Sequence, residues 1–287
     1  MSWIEIKLKI PLEKIEDISS FLFAQGCEGI NLTDNNVILY FSQFHWSNER
    51  KFALIDYIRE FIPRFGTRDI QVVKIADQDW NKKWKVFFKP VQVSQKIVVV
   101  PPWEKTRRSK DKIRIIINPK MAFGTGHHES TQLMIIGLEE WIKEGMNVLD
   151  VGTGSGILAI IADKLGAESV LALDNDPVAL RNAYENARLN NTSGRVKFFL
   201  SAAEMLQSSE YDLILANINR MVLMKYADRF ADLLKIDGKL ILSGILISDE
   251  LQMLQEYRRA GFKLIQKKEM RDWLMLVLEL RNKIDQS

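Results

Sequence analysis

The stretch Asn147-Val-Leu-Asp150-Val-Gly152-Thr-Gly154-Ser-Gly156-Ile-Leu158 decides the fold. Asn147 to Val151 has the apolar character of a buried strand, and three alternate glycines then turn the chain into the apolar run Ile157 to Leu165. Glycine lets backbone approach a ligand closely, and the amides that open the following helix supply hydrogen-bond donors. Outward from this turn, strands and helices alternate. A strand is expected at Val170 to Leu173, a helix at Pro177 to Asn190, and further strands at Val196 to Leu200, Leu213 to Ala216 and Leu240 to Ser243. That rhythm predicts a doubly wound parallel sheet of the α/β class. Phe262 to Lys268 and Trp273 to Leu280 are separated only by a short turn, so they should pair antiparallel.

The beginning of the chain reads differently. Ile4, Ile6, Leu8 and Ile10 alternate with Glu5, Lys7 and Lys9, the period of a half-buried strand. Leu12, Ile15, Ile18 and Leu22 then recur at helical spacing up to Gly26, and two short strands, Gly29 to Thr33 and Val37 to Phe41, flank Asp34-Asn35-Asn36. A second helix carrying Phe52, Ile55, Ile58 and Ile62 stops at Pro63, and Ile70 to Ile75 supplies a last strand. The order βαββαβ predicts a small ferredoxin-like α+β domain over 1–76. Trp80 and Trp84 lie at helical spacing in a polar segment, so a linker helix is expected over 77–90, with the larger domain over 91–287.

A length of 287 residues fits about two domains, and 47% hydrophobic with 27% charged residues is ordinary globular composition. The formal charge of +3 is too small for general coating of a nucleic acid. One basic segment, Glu104 to Lys112, holds five basic and two acidic residues between the expected strands Lys96 to Val100 and Ile113 to Ile117, and reads as a solvated loop. The single cysteine, Cys27, cannot form an internal disulfide, and three histidines give no familiar zinc spacing. The apolar runs fall far short of the roughly 20 residues that span a bilayer. The expectation is a cytoplasmic monomer with no membrane or metal partner.

Chemistry should concentrate at the carboxyl ends of the parallel strands. The glycine spacing is G-x-G-x-G; the dinucleotide fingerprint would need its third glycine at position 157, which is Ile157. This variant, preceded by Asp150, resembles the S-adenosylmethionine turn of class I methyltransferases. Asp174 follows the second strand, about 20 residues past the glycines, where an acid can accept from both ribose hydroxyls. Asp176 precedes Pro177 and is expected to cap the next helix. Asn217 ends a later strand in Leu215-Ala216-Asn217-Ile218-Asn219 and should face the reacting groups. The segment Asn118 to Thr131, with Phe123-Gly-Thr-Gly126-His127-His128-Glu129, opens another helix and is expected to wall the cofactor pocket; the alternative for its hydroxyls is that Ser130 or Thr131 caps the helix. Adjacent histidines point in different directions, which argues against metal ligation.

Taken together, the Gln78-Asp-Trp80 to Trp84 linker, Ala122-Phe-Gly-Thr-Gly126, the glycine turn, Asp174, Ala216-Asn217-Ile218 and Ser243-Gly-Ile-Leu246 resemble the PrmA family of ribosomal protein methyltransferases. The resemblance implies S-adenosyl-L-methionine as cofactor and trimethylation of amines of the large-subunit ribosomal protein L11. It also implies cofactor contacts at Thr131, Gly152, Gly154, Gly156, Asp174 and Asn217, and substrate capture by the amino-terminal domain. Asn217 is expected to orient the acceptor amine and Phe123 to form an apolar wall. Two departures stand out: His127-His128-Glu129 replaces a common Thr-His-Pro, and Asn219 replaces a leucine. Rival readings are a class I methyltransferase acting on RNA and a non-catalytic RNA-binding module. The second lacks the Lys/Arg-Gly-Phe-Gly context of an RNA-recognition sheet around Val37 to Phe41.

Overall fold

A computed structural model describes residues 3–11, 18, 21–22, 25–33, 36–75, 88–104, 112–119, 124–192, 194–206 and 210–281. The chain forms two compact units, 1–87 and 88–287.

In the first unit, β1 (Trp3–Leu8), β2 (Cys27–Thr33), β3 (Asn36–Ser42) and β4 (Ile70–Ile75) make one sheet in the order β2-β3-β1-β4. Every neighbouring pair is antiparallel. Ile4, Ile6 and Leu8 are buried while Trp3, Glu5 and Lys7 are half-buried, so the alternation in the sequence is the two faces of β1. Of the helix expected after β1, Ile18 and Leu22 are buried and helical, and Gly26 has the left-handed φ of a helix stop; most of the segment lies outside the described residues. Helix α1 (Asn48–Phe61) is capped by Ser47, whose side chain accepts from the Arg50 amide. It buries Leu54, Ile55 and Ile58. Phe52, expected on that face, is instead 57% exposed, because 54, 55 and 58 define the inward stripe. The expected linker helix falls on 76–87, outside the described residues, and 88–90 have no regular structure.

The second unit starts with a three-stranded sheet of β5 (Val91–Gln92), β6 (Ile97–Val100) and β7 (Ile113–Ile116), in which β6 and β7 run parallel. Most of the basic loop between them, 105–111, lies outside the described residues. After α2 (Glu129–Trp141) comes β8 (Asn147–Val151), α3 (Ile157–Lys164), β9 (Ser169–Asp174), α4 (Pro177–Leu189), β10 (Val196–Leu200) and β11 (Tyr211–Asn217). Two short helices, α5 (Arg220–Lys225) and α6 (Ala227–Leu233), lead to β12 (Leu234–Leu246), and α7 (Glu250–Arg259) precedes the hairpin β13 (Phe262–Met270) and β14 (Trp273–Leu280). The seven strands are ordered β10-β9-β8-β11-β12-β14-β13. β8 to β12 are mutually parallel, and β14 is antiparallel to both neighbours.

Apolar side chains leave this sheet on both faces. Val148, Leu213 and Leu215 join Leu133, Ile160 and Leu180 in one core; Leu149, Ile214 and Ala216 join Leu223, Phe230 and Tyr257 in the other. Helices on both faces explain the near-continuous apolar reading of these strands.

Candidate functional site

At the carboxyl end of β8 the chain must reverse into α3 within a few residues. The Gly152 and Thr153 amides donate to the Leu173 carbonyl at 2.9 and 2.8 Å, which holds the turn against the end of β9. Gly152 has φ of +72°, and a Cβ there would overlap Ile218 Cγ2, so the close approach requires glycine. Gly156, also left-handed, opens α3 where a Cβ would meet the Ala183 Cβ at 3.0 Å.

Asp174 sits at the tip of β9. Its Oδ2 accepts from the Gly154 amide at 2.8 Å and its Oδ1 from the Asp176 amide at 3.0 Å. A carboxylate oxygen has two acceptor directions, so each retains one for a ligand hydroxyl. Asp176 accepts from the Val178 amide at 2.8 Å and caps α4. Asp150, within the strand, is almost wholly buried and accepts from Thr153 Oγ1 at 2.7 Å. Burial pushes its carboxyl up to about 7; the Thr153 hydrogen bond opposes the rise and the neighbouring Asp174 charge adds to it.

A cavity of about 510 Å³ opens above these strand ends. Gly152, Gly154, Asp174 and Asn217 line it together, with Ile218, Asn219, Gly244, His128, Ser130 and Trp273 among the other wall residues. Asn217 Oδ1 is buried without a hydrogen-bond partner among the described residues, whereas the capping role in this loop belongs to Asn219, which accepts from the Met221 amide at 2.8 Å. The two asparagines therefore have separate duties, and the Asn219 departure is accounted for as a helix cap.

Other expected residues fall elsewhere. Gly156 and Thr131 do not line the cavity; Thr131 is fully buried in α2, and its Oγ1 has no partner among the described residues. Phe123 lies outside the described residues. Neither Ser130 nor Thr131 caps α2: the His128 ring does, its Nδ1 accepting from the Ser130 amide at 3.2 Å. The His128 ring packs edge-on against Trp273 with centroids 4.5 Å apart, while His127 contacts the Lys89 carbonyl at 3.0 Å. Sequence reasoning missed Trp273. It begins the second strand of the final hairpin, where an aromatic is unremarked, and only its pairing opposite Leu246 carries it to the cavity.

A parallel sheet closed by one antiparallel strand, with a glycine turn after its first strand and an acid at the tip of its second, defines a class I methyltransferase domain. The chain belongs to the family described as ribosomal protein L11 methyltransferase (PrmA), which it matches over residues 2–281. It is 33% identical to the ribosomal protein L11 methyltransferase of Caldicellulosiruptor saccharolyticus over 96% of this chain and 99% of that protein. The same enzyme of Acetivibrio thermocellus is 33% identical over 97% of this chain and 98% of the relative. The crystal structure of the ribosomal protein L11 methylase from Lactobacillus delbrueckii subsp. bulgaricus superposes with a TM-score of 0.64 at 33% identity, covering 68% of this chain and all of that one.

Proposed function

We propose that the protein transfers methyl groups from S-adenosyl-L-methionine to amines of ribosomal protein L11, at lysine ε-amines, the N-terminal α-amine or both. The observation that carries this reading is that Asn217, whose buried Oδ1 has no partner among the described residues, lines one cavity with Gly152, Gly154 and Asp174. The residues present fit the cofactor: Gly152 and Gly154 line the cavity with backbone alone, and Asp174 beside them keeps acceptor capacity for a ribose. When bound, S-adenosylmethionine supplies a methyl carbon activated by a sulfonium.

Only a neutral amine is nucleophilic, and a lysine with an ordinary pKa near 10.4 must lose its proton on entering the site. An amide oxygen cannot take that proton, so Asn217 acts by accepting from an amine N–H and aiming the nitrogen lone pair. Desolvation against Trp273 and Ile218 favours the neutral form. Asp150 is not a cavity residue and serves the turn rather than the acceptor. Alignment of the two reactants then supplies much of the acceleration. In this reading Phe123 adds an apolar wall, Thr131 and Gly156 support the cofactor from behind, and residues 1–76 capture the acceptor protein. The enzyme works as a cytoplasmic monomer.

The test is incubation with labelled S-adenosylmethionine and free ribosomal proteins, with and without RNase, followed by intact-mass analysis. Label in L11 that survives RNase is the expected result. Label that disappears with RNase would transfer the assignment to an RNA methyltransferase. Replacing Asn217 by Ala should lower kcat about tenfold, the worth of one hydrogen bond at the reacting centre; unchanged turnover would remove the role given to it.

A further inference from the structure

Helix α4 and its C-cap carry three asparagines one turn apart, Asn182, Asn186 and Asn190, with exposures of 3, 0 and 7%. Buried amides are costly unless bonded, so their partners define what they do. Asn190 pairs with one residue of β7: its Oδ1 accepts from the Ile116 amide at 2.7 Å and its Nδ2 donates to the Ile116 carbonyl at 2.6 Å. Asn186 reaches two different segments. Its Oδ1 accepts from the Asn118 amide at 2.8 Å, and its Nδ2 donates to the Ser155 carbonyl at 2.9 Å.

These contacts link two pieces of chain that meet at the cavity. Ser155 is the residue between Gly154 and Gly156, and its Oγ donates to the Gly124 carbonyl at 2.6 Å. Asn118 enters the segment that Gly124 leaves, and the chain continues from Gly124 to His128 and Ser130 in the cavity wall. One end of the segment is thus bound by Asn186 directly. The other is bound by the serine whose carbonyl Asn186 holds. Asn186 does not itself line the cavity.

We infer that Asn186 is a positioning residue for the cofactor, its side-chain amide fixing the separation between the glycine turn and the chain leading into the His128 wall. The inference rests on the cofactor reading above and adds a residue that no binding motif contains. A planar amide suits the task because it offers an acceptor to one segment and a donor to the other at fixed spacing.

Calorimetric titration of the full chain with S-adenosylmethionine, alongside thermal unfolding, tests it. Asn190 is the control: also buried, and bonded to Ile116 and to the Asn186 carbonyl, but with no contact to the turn. Replacing Asn186 and Asn190 by Ala should lower Tm alike, while only Asn186→Ala weakens cofactor binding, by about tenfold for lost hydrogen bonds. Asn186→Asp adds a reading that packing alone would not move. Its ionised carboxylate faces the Ser155 carbonyl, so affinity falls; protonation at lower pH restores a donor, so affinity recovers relative to wild type. Equal affinity losses in the two alanine variants, or an Asp variant with the wild-type pH profile, would overturn the inference. A wild-type protein that takes up no S-adenosylmethionine would instead overturn the cofactor reading.

Discussion

The two units bury their sheets in opposite ways. In the small unit β1 alternates between buried and half-buried residues, whereas in the large unit five consecutive residues of β14, Leu274 to Leu278, are all buried. A sheet covered on one face needs only one polar stripe to stay wetted. A sheet covered on both must satisfy every polar group it buries from within. All the buried side-chain nitrogens and oxygens without partners among the described residues belong to 88–287, Thr131, Asp150, Asn182 and Asn217 among them. The lesson is that unmet polar capacity accumulates in the unit that holds the cavity, and the small unit is a conventional apolar core.

That contrast can be broken by experiment. The largest expected effect is Leu39→Ala in the wholly buried centre of β3, which should cost about 2–5 kcal/mol of stability in the small unit. Hydrogen exchange should show the loss confined to 3–75, with S-adenosylmethionine affinity unchanged; a drop in affinity would mean the units are not energetically separate. Next comes Gly152→Ala. Left-handed backbone at a residue with a Cβ costs about 1–3 kcal/mol before its overlap with Ile218 is counted, so urea unfolding should show the large unit destabilised by at least that much; a variant as stable as wild type would mean the turn is not held as described.

The effect that is smallest per step of the titration concerns Asp150. Its carboxyl pKa is raised by burial, so the folded state holds a proton that the unfolded state has released between roughly pH 4 and 7. This group's contribution to stability is therefore full below about pH 4 and is lost as pH rises through about 7, with a slope of at most about 1.4 kcal/mol per pH unit. Urea unfolding across that range should give a flatter profile for Asp150→Asn than for wild type.

The glycine turn, Asp174 and Asn217 were readable in the sequence because each ends an apolar strand, and strand ends in this architecture converge. β12 was harder. Only Leu240 to Ser243 reads as strand, because Asp237, left-handed at φ of +63°, and Gly238 interrupt the apolar pattern of a strand that begins at Leu234. The asparagines of α4 were invisible for a different reason. Polar residues four apart on a helix read as a wetted face, and only the tertiary partners of Asn186 and Asn190 reveal that the face points inward. His128 as a cap was obscured by the better-known hydroxyl caps beside it.

The position of β14 has a consequence for biosynthesis. The strand that comes last in sequence lies between β12 and β13, and its first residue, Trp273, walls the cavity. A nascent polypeptide truncated at Asp272 would leave the flank of β12 bare and the aromatic wall missing. The cofactor site proposed above is then complete only once β14 has been made, and premature termination in this hairpin yields a product with its apolar edge exposed, a natural target for proteolytic quality control.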